Sequence, residues 1–383
     1  MQLNIHNSLA EISISQWDAL GNTDYPFTHH AFLHGLEIHH CLKPFGWEPV
    51  YFTLTRDNQL IAALPAYIKS NSYGELVFDH SWAQAYEQSG LNYYPKLVSA
   101  IPYTPATGNR FLINLQIITQ QHEKEQIQQV LLDAVKSFCG QYQLSSWHIL
   151  FEQYDVLKSL EAEAVLLRRD IQFHWHNRGY NNFDDFLDTL SSRKRKNLKK
   201  ERLSVHNSDI EIIQKYGDEL TEDEWFRVHE LYADIFLRKY GTATLTREFF
   251  YHLGQYLKQQ VIVILALAED KIVACSLFFC SDTHLYGRVW GCEEFSNHLH
   301  FECCYYQGIE YCIKHGLKVF DPGAQGQHKI SRGFLPTYTW SGHWIKQPEF
   351  QQLIARFLRQ EKQFLEVHFD DLLSHSPYKN TTT

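Results

Sequence analysis

The sequence predicts an α/β fold in two tandem halves, each a mixed sheet flanked by helices. Three observations carry this. A pair of β-rich runs joined by a short polar turn occurs twice, at residues 48–68 and 261–279. Each pair is followed by a segment with helical spacing of apolar residues, and each such segment leads into a short apolar run that reads as a strand. A chain of 383 residues has room for two domains of ordinary size, expected at 1–165 and 166–383.

The first hairpin runs from Glu48 to Thr55, turns at Arg56-Asp57-Asn58-Gln59 and returns through Leu60 to Ile68; a third strand is expected at Glu75-Leu76-Val77-Phe78. Residues 122–140 carry Ile127, Val130, Leu131, Ala134 and Phe138 at helical spacing, and Trp147 to Phe151 reads as the strand after that helix. Residues 152–180 read as the join between halves. Asn182 opens a helix, and Thr221-Glu222-Asp223-Glu224 has the character of a capping box before a second helix through Trp225, Val228, Leu231 and Ile235. The second hairpin spans Val261 to Phe279 around Glu269-Asp270-Lys271, with a third strand at His284 to Trp290, a helix at 301–315 and a short strand at Leu317 to Phe320. A meander, a helix and one further strand imply a parallel step, because such a crossover is normally made by a helix. Residues 349–373 form a last amphipathic helix, and the tail from Tyr378 is expected to fray.

Composition narrows the class. Apolar residues make up 44% and charged residues 21%, an ordinary globular balance. No run approaches the roughly 18 consecutive apolar residues of a membrane span, and the N-terminus lacks the basic start and apolar stretch of a signal peptide. The eight cysteines form no CxxC pair, and several sit in apolar runs. They read as reduced, buried thiols of a cytoplasmic protein. Cys292, His298, His300 and Cys303 match no zinc-finger spacing, and no metal is expected. The net charge of −9 repels polyanions overall, but screening beyond about 10 Å lets a local basic patch overrule that sign.

Such a patch is present. Arg193, Lys194, Arg195 and Lys196 begin a stretch with seven cations in ten residues, ending at Arg202, where Glu201 is the one acid at hand. Cations at this density attract phosphates, so these four are assigned to the phosphates of a donor; the alternative is a solvated face. A second cluster, Asp321 to Pro336, packs Asp321, Gln325, His328, Lys329 and Arg332 among three glycines. It follows a strand, where open sheets build sites. A cation there would stabilise the oxyanion of a reacting ester, and a histidine would take a proton from an attacking ammonium. A third cluster combines Arg288 and Trp290, on one strand face, with Glu302 and Tyr306, four apart on a helix. Glu302 is read as a base or as the holder of a nearby cation. In the first half, Asp79, Trp82, Tyr94, Lys96 and Tyr103 have the composition of an aromatic pocket wall, as do His174 and Trp175 near the join; aromatic core is the competing reading.

Taken together, Trp82-Ala83-Gln84-Ala85-Tyr86, Tyr93-Tyr94-Pro95-Lys96-Leu97, Gln172-Phe173-His174-Trp175, Arg193-Lys194-Arg195-Lys196, Tyr286-Gly287-Arg288, His300-Phe301-Glu302 and Pro322-Gly323-Ala324-Gln325-Gly326-Gln327-His328-Lys329 resemble the FemAB-like family of N-acyltransferases. The resemblance runs from about Phe32 to Trp344. It implies tandem GNAT-like domains, the acyl-CoA N-acyltransferase fold. More distant Fem-type enzymes move amino acids from aminoacyl-tRNA onto peptidoglycan precursors, a donor that would account for a basic helix on an acidic protein. The glycine-rich pyrophosphate turn of acyl-CoA enzymes is missing: the matching segment, Glu293 to His300, holds two acids and no glycine.

The expected activity is therefore transfer of an acyl or aminoacyl group to an amine, without a permanently bound cofactor. The donor would be aminoacyl-tRNA or another carrier, with acyl-CoA behind. His328 or Glu302 would manage the proton, Lys329 with Arg332 would stabilise the oxyanion, and the basic helix and the 321–332 loop would converge on one cavity between the halves. The alternatives are an acyl-CoA N-acetyltransferase and a non-catalytic module binding a cell-wall precursor or RNA.

Overall fold

The computed structural model describes residues 1–21, 24–239, 241–294, 296–324 and 326–379. The chain forms two compact units. Unit 1 is Met1–Asp170 with Tyr338–Glu366, and unit 2 is Ile171–Thr337 with Val367–Thr383. The expected boundary at 165/166 is corrected in two ways: the first crossing falls after Asp170, and the chain later re-enters unit 1. The reason lies in the strands.

In unit 1 the strands follow in the order Gln2–His6, Trp47–Arg56, Gln59–Lys69, Lys96–Ser99, Ser146–Leu150 and Leu335–Ile345. All pairs are antiparallel except Lys96–Ser99 with Ser146–Leu150, where Leu97 lies opposite Trp147. The helix Gln121–Gln141 precedes the parallel strand and lays Ile127, Leu131, Val135 and Phe138 on the sheet. The last strand comes from the far end of the chain, with Ser341 opposite Leu150 and Ile345 opposite Ser146.

Unit 2 repeats this order: Ile210–Tyr216, Val261–Ala268, Lys271–Cys280, His284–Cys292, Val319–Asp321 and Leu166–His176. Again one pair is parallel, His284–Cys292 with Val319–Asp321, and again a helix, Gln307–His315, leads into the parallel strand. The final position is taken by Leu166–His176, where Val319 faces His176 and Phe320 faces Trp175. Unit 1 therefore completes its ladder with a strand from beyond unit 2's run of sequence, whereas the strand that completes the ladder of unit 2 opens that unit's own run. The expected tandem GNAT-like fold, with mixed sheets flanked by helices, is present.

The expected strand at Glu75–Phe78 is a loop in which Leu76 has φ 62°. Glu75 turns inward there to meet Lys96, and the third ladder position goes to Lys96–Ser99. The capping box at Thr221 forms, with Thr221 N–H donating to Glu224 Oε2 at 2.9 Å and Glu224 N–H to Thr221 Oγ1 at 3.3 Å. The last helix is Pro348–Ser374. Among the described residues, no helix is long and apolar enough to cross a membrane.

Candidate active site

The polar residues of unit 2 gather around the loop after Val319–Asp321. Asp321 is buried at its centre. Its carboxylate accepts from Arg288 Nη2 at 3.0 Å and from Gly323 N–H at 2.8 Å, and His174 Nε2 lies 3.9 Å away. Burial pushes its pKa up, but Arg288, His174 and the Gly323 N–H outweigh burial and hold it below the usual carboxylate value. His174 is driven down to about 4, chiefly by burial, so its ring is neutral. The loop approaches the neighbouring strand closely: Gly323 has φ 88°, and a Cβ there would stand 3.2 Å from Gly287 O.

Lys329 is buried under this turn, in the helical turn Gln327–Arg332. Its ammonium donates to the carbonyl oxygens of Gly323 at 2.8 Å, Ala324 at 3.3 Å and Pro322 at 3.5 Å. Burial lowers its pKa to about 8; Asp321 opposes this and Arg288 adds to it. His328 next to it is exposed, and its Nε2 shares a hydrogen bond of 2.9 Å with Tyr305 Oη. Its pKa is lowered by burial of part of the ring and by Arg332 and Lys329, which keeps the imidazole neutral and able to take a proton. Gln325 lies outside the described residues.

The basic helix is Ser192–His206. It meets the loop through a residue that sequence reasoning took only as a local counter-ion: Glu201 accepts from Arg332 Nη2 at 2.8 Å and from Tyr306 Oη. Arg332 also donates to His328 O at 3.0 Å and lies 3.3 Å from the Phe301 ring centroid. The assignment of Arg332 to a free oxyanion donor is thus corrected: one edge of its guanidinium is paired and its face is stacked. Glu302 is likewise held rather than free, accepting from Arg202 at 2.9 and 3.1 Å and from Gln307 Nε2 at 2.8 Å. Of the two roles considered for it, the holder of a cation fits. Glu302 to Tyr306 form a π-helical turn, so Tyr305 reaches His328 while Tyr306 reaches Glu201.

The cations of the helix find more acids than Glu201. Arg195 pairs with Asp188 at 2.8 Å, Lys199 with Asp184 at 3.1 Å, and Arg202 with Glu302 and Glu310. Arg193, Lys194 and Lys196 make no ion pair among the described residues, and Arg193 and Lys196 are exposed. Trp290 stands edge-on to His300 at 5.2 Å, with its indole N–H buried and without an acceptor among the described residues. Trp175 is fully buried in the unit 2 core against Tyr180 and Phe186, so its assignment to a pocket wall is corrected to core packing.

In unit 1 the expected pocket wall is an interior network. Lys96 is 0% exposed and bonds Glu75 at 2.8 Å, Ser72 at 2.9 Å and Asp79. Tyr93 Oη donates to Asp79 at 2.5 Å and contacts His148 at 3.1 Å, and His148 Nδ1 lies 2.7 Å from His343 Nδ1. Tyr94 Oη joins through Ser72 at 2.7 Å, and Trp82 packs edge-on to His343 at 4.9 Å. Tyr103 donates to Cys41 O at 2.6 Å beneath Trp47. Burial raises Glu75 to about 7 and lowers His148 to about 3. Asp79 is pushed up by burial, yet Lys96 and His148 hold it well below the usual range. Asp79 and Lys96 serve each other here and do not line an open cleft.

Residues 8–380 match a family described as acting in peptidoglycan biosynthesis or recognition. The chain belongs to the FemAB-like family. Among solved structures, the crystal structure of FemX superposes with a TM-score of 0.54 at 11% identity, covering 93% of this FemAB-like chain and 100% of FemX. The C-terminal domain of a putative lysylphosphatidylglycerol synthetase from Agrobacterium fabrum gives 0.53 at 6% identity, covering 92% and 97%. L-PGS from Bacillus licheniformis gives 0.50 at 9% identity, covering 85% and 95%. At these identities the likeness speaks for the fold. No curated protein matches the sequence.

Proposed function

We propose that this FemAB-like chain transfers an acyl or aminoacyl group from an activated ester or thioester to an amine, with the loop of unit 2 as the reaction centre. The observation that carries the reading is the meeting, in one glycine-rich turn, of a neutral histidine, His328, and a buried ammonium, Lys329, with the Arg288–Asp321 pair beneath them. The amine nitrogen attacks the carbonyl carbon, and the carbonyl π pair moves onto oxygen. His328 Nδ1 takes the proton released from nitrogen. Collapse of the tetrahedral intermediate re-forms the carbonyl and breaks the bond to the leaving oxygen or sulfur, which receives that proton from His328. Lys329 holds Pro322 and Ala324 by its two longer bonds; exchanging one for the oxyanion would place a cation where charge develops. Arg193, Lys194 and Lys196, unpaired on the basic helix, would hold donor phosphates, and Arg195 would join them by releasing Asp188. Arg288, Trp290, Tyr306 and His174 would shape the site around the acceptor. The family description directs the search for an acceptor amine to peptidoglycan precursors, and the name of one neighbour adds phosphatidylglycerol, whose head-group hydroxyl would attack in place of the amine and lose its proton to His328 in the same way.

A second reading is recognition without chemistry. It draws on the internal pairing of Arg332 and Glu302 and on a family description that covers recognition as well as biosynthesis. One experiment separates the two. The purified chain is incubated with labelled aminoacyl-tRNAs or acyl-CoAs and with a panel of peptidoglycan precursors and lipid vesicles, and products are read by mass spectrometry. Transfer is expected, and Lys329→Ala should abolish it while leaving the circular dichroism unchanged. Salt-sensitive binding of an acceptor with no product from any donor would replace the transferase reading by recognition.

A further inference from the structure

The tail expected to fray from Tyr378 is instead tied down as far as Lys379, and one of its ties is to the reaction loop. Past the last helix, Ser191 N–H donates to Pro377 O and Lys379 N–H to Thr189 O, both at 2.9 Å, so that Tyr378 stands opposite Leu190 in a short antiparallel bridge. The bridge closes on Ser191, the residue at the N-cap of the basic helix Ser192–His206. The Tyr378 ring centroid lies 4.4 Å from the Arg178 guanidinium, and the Tyr378 hydroxyl donates to Gly333 O at 2.7 Å. Burial pushes the phenol pKa up, so the proton that makes this bond is retained. All of these residues belong to unit 2.

Gly333 and Gly326 frame the turn Gln327–Arg332, the carrier of His328, Lys329 and Arg332. Gly326 has φ 103° and Gly333 φ 95°, a region other residues rarely enter, so each is a point at which the backbone can pivot. Ile330 and Phe334 anchor the underside of the turn in the core. Its tilt is left to polar contacts. Upstream, Lys329 holds the carbonyls of Pro322, Gly323 and Ala324, and the acyl-transfer reading releases one of those bonds to an oxyanion. At the end of the turn Arg332 holds Glu201. Beyond it Gly333 is the next fixed point, because the missing Cβ lets two side chains close on the backbone. A Cβ there would stand 2.8 Å from Phe186 Cζ and 3.1 Å from Tyr378 Oη. We propose that Tyr378 is a positioning residue: it clamps the downstream glycine so that the turn keeps its tilt while Lys329 exchanges partners. The same side chain then links the start of the basic helix to the turn that carries the chemistry. Its effect on rate rests on the acyl-transfer reading, where a shift of about 1 Å in a reacting group is enough to slow turnover about a hundredfold. The clamp itself is a property of the folded chain.

The test pairs amide hydrogen exchange with kinetics on the full chain. Tyr378→Phe keeps the ring beside Arg178 and the backbone bridge, and removes only the bond to Gly333 O. Within residues 326–334 the N–H groups of Lys329, Gly333 and Phe334 are bonded inside the turn. Their exchange should speed up about fivefold, as the loss of one hydrogen bond implies, while Ser191 stays protected and the melting temperature moves by less than about 3 °C. A chain lacking residues 377–383 should exchange faster both in the turn and at Ser191, which loses Pro377 O. With a donor and acceptor that give product, Tyr378→Phe should lower kcat about tenfold and leave both KM values within about twofold, since the reacting groups are displaced and the binding groups are not. Unchanged exchange over 326–334 in both variants would overturn the clamp. So would faster exchange spread evenly over unit 2 with a falling melting temperature, the mark of a stability contact alone. A loss confined to KM would remove Tyr378 from positioning the chemistry. The exchange measurement needs no substrate: if the parent chain gives no product, the acyl-transfer reading fails, while faster exchange in Tyr378→Phe still upholds the clamp.

Discussion

Asp321 shows how one buried carboxylate can order a whole site. It accepts from Arg288 on the neighbouring strand and from the Gly323 N–H of its own turn, and that turn presents three carbonyl oxygens to Lys329. Lys329 is consequently buried in a setting that lowers its pKa to about 8. A lysine acting as a cation on a developing oxyanion must be protonated. On the proposed chemistry kcat/KM should therefore fall as pH rises through about 8, and the limb should move above pH 10 in Lys329→Arg, whose guanidinium stays charged. A pH–rate profile that rises through this range would assign Lys329 to proton uptake instead. Much at this scale could be read from sequence, because Asp321, His328, Lys329 and Arg332 share one short glycine-rich segment. Contacts that join distant segments could not. Glu201 looked like a lone local counter-ion among cations, yet it receives Arg332 and Tyr306 from more than a hundred residues away. Asp79 and Lys96 have the composition of a pocket wall; only the fold shows them closed on each other at 0% exposure of the lysine.

Elements were legible where their pattern is local. The two hairpins announce themselves by apolar runs around short polar turns, and both form, at Trp47–Lys69 and Val261–Cys280. The segment Glu75–Phe78 misled because its apolar residues resemble a strand while Glu75 is required inside by Lys96. The strands Leu166–His176 and Leu335–Ile345 went unread because each pairs with partners far away in sequence, and neither is flanked by a turn that signals a hairpin. Packing between elements adds constraints that no periodicity reveals. The helix Glu222–Lys239 rests on the strand His284–Cys292 at Gly291, where a Cβ would come within 2.6 Å of Leu231 C and 2.8 Å of Tyr232 N. Neither backbone atom can yield without moving the helix. Gly291→Ala should cost about 1–3 kcal/mol, measured by urea denaturation, with no change in secondary-structure content. A loss under about 0.3 kcal/mol would mean that this contact is looser than described.

At the scale of the molecule, the repeated strand order is real, but its units are not the simple halves that the repeat suggested. Unit 1 takes its sixth strand from beyond unit 2, whereas unit 2's sixth strand opens its own run, so cutting the chain at residue 165 or 170 removes 338–366 from unit 1. A fragment of residues 1–170 would lack one of the two strand partners of Ser146–Leu150 and leave His148 without His343. It should show no cooperative thermal transition, and coexpression with a second chain of residues 338–366 should restore one. A cooperative melt of the first fragment alone would show that the returning segment contributes little to unit 1.

The returning strand imposes an order on synthesis. Emerging from the ribosome, the chain exposes every strand of the unit 2 sheet by residue 321, in one unbroken stretch from Leu166. The unit 1 sheet must wait until Ile345 has been translated. Through that interval Ser146–Leu150, paired on one side by Lys96–Ser99, presents its other side as an open edge, the kind of surface on which nascent chains stick to one another or recruit a chaperone.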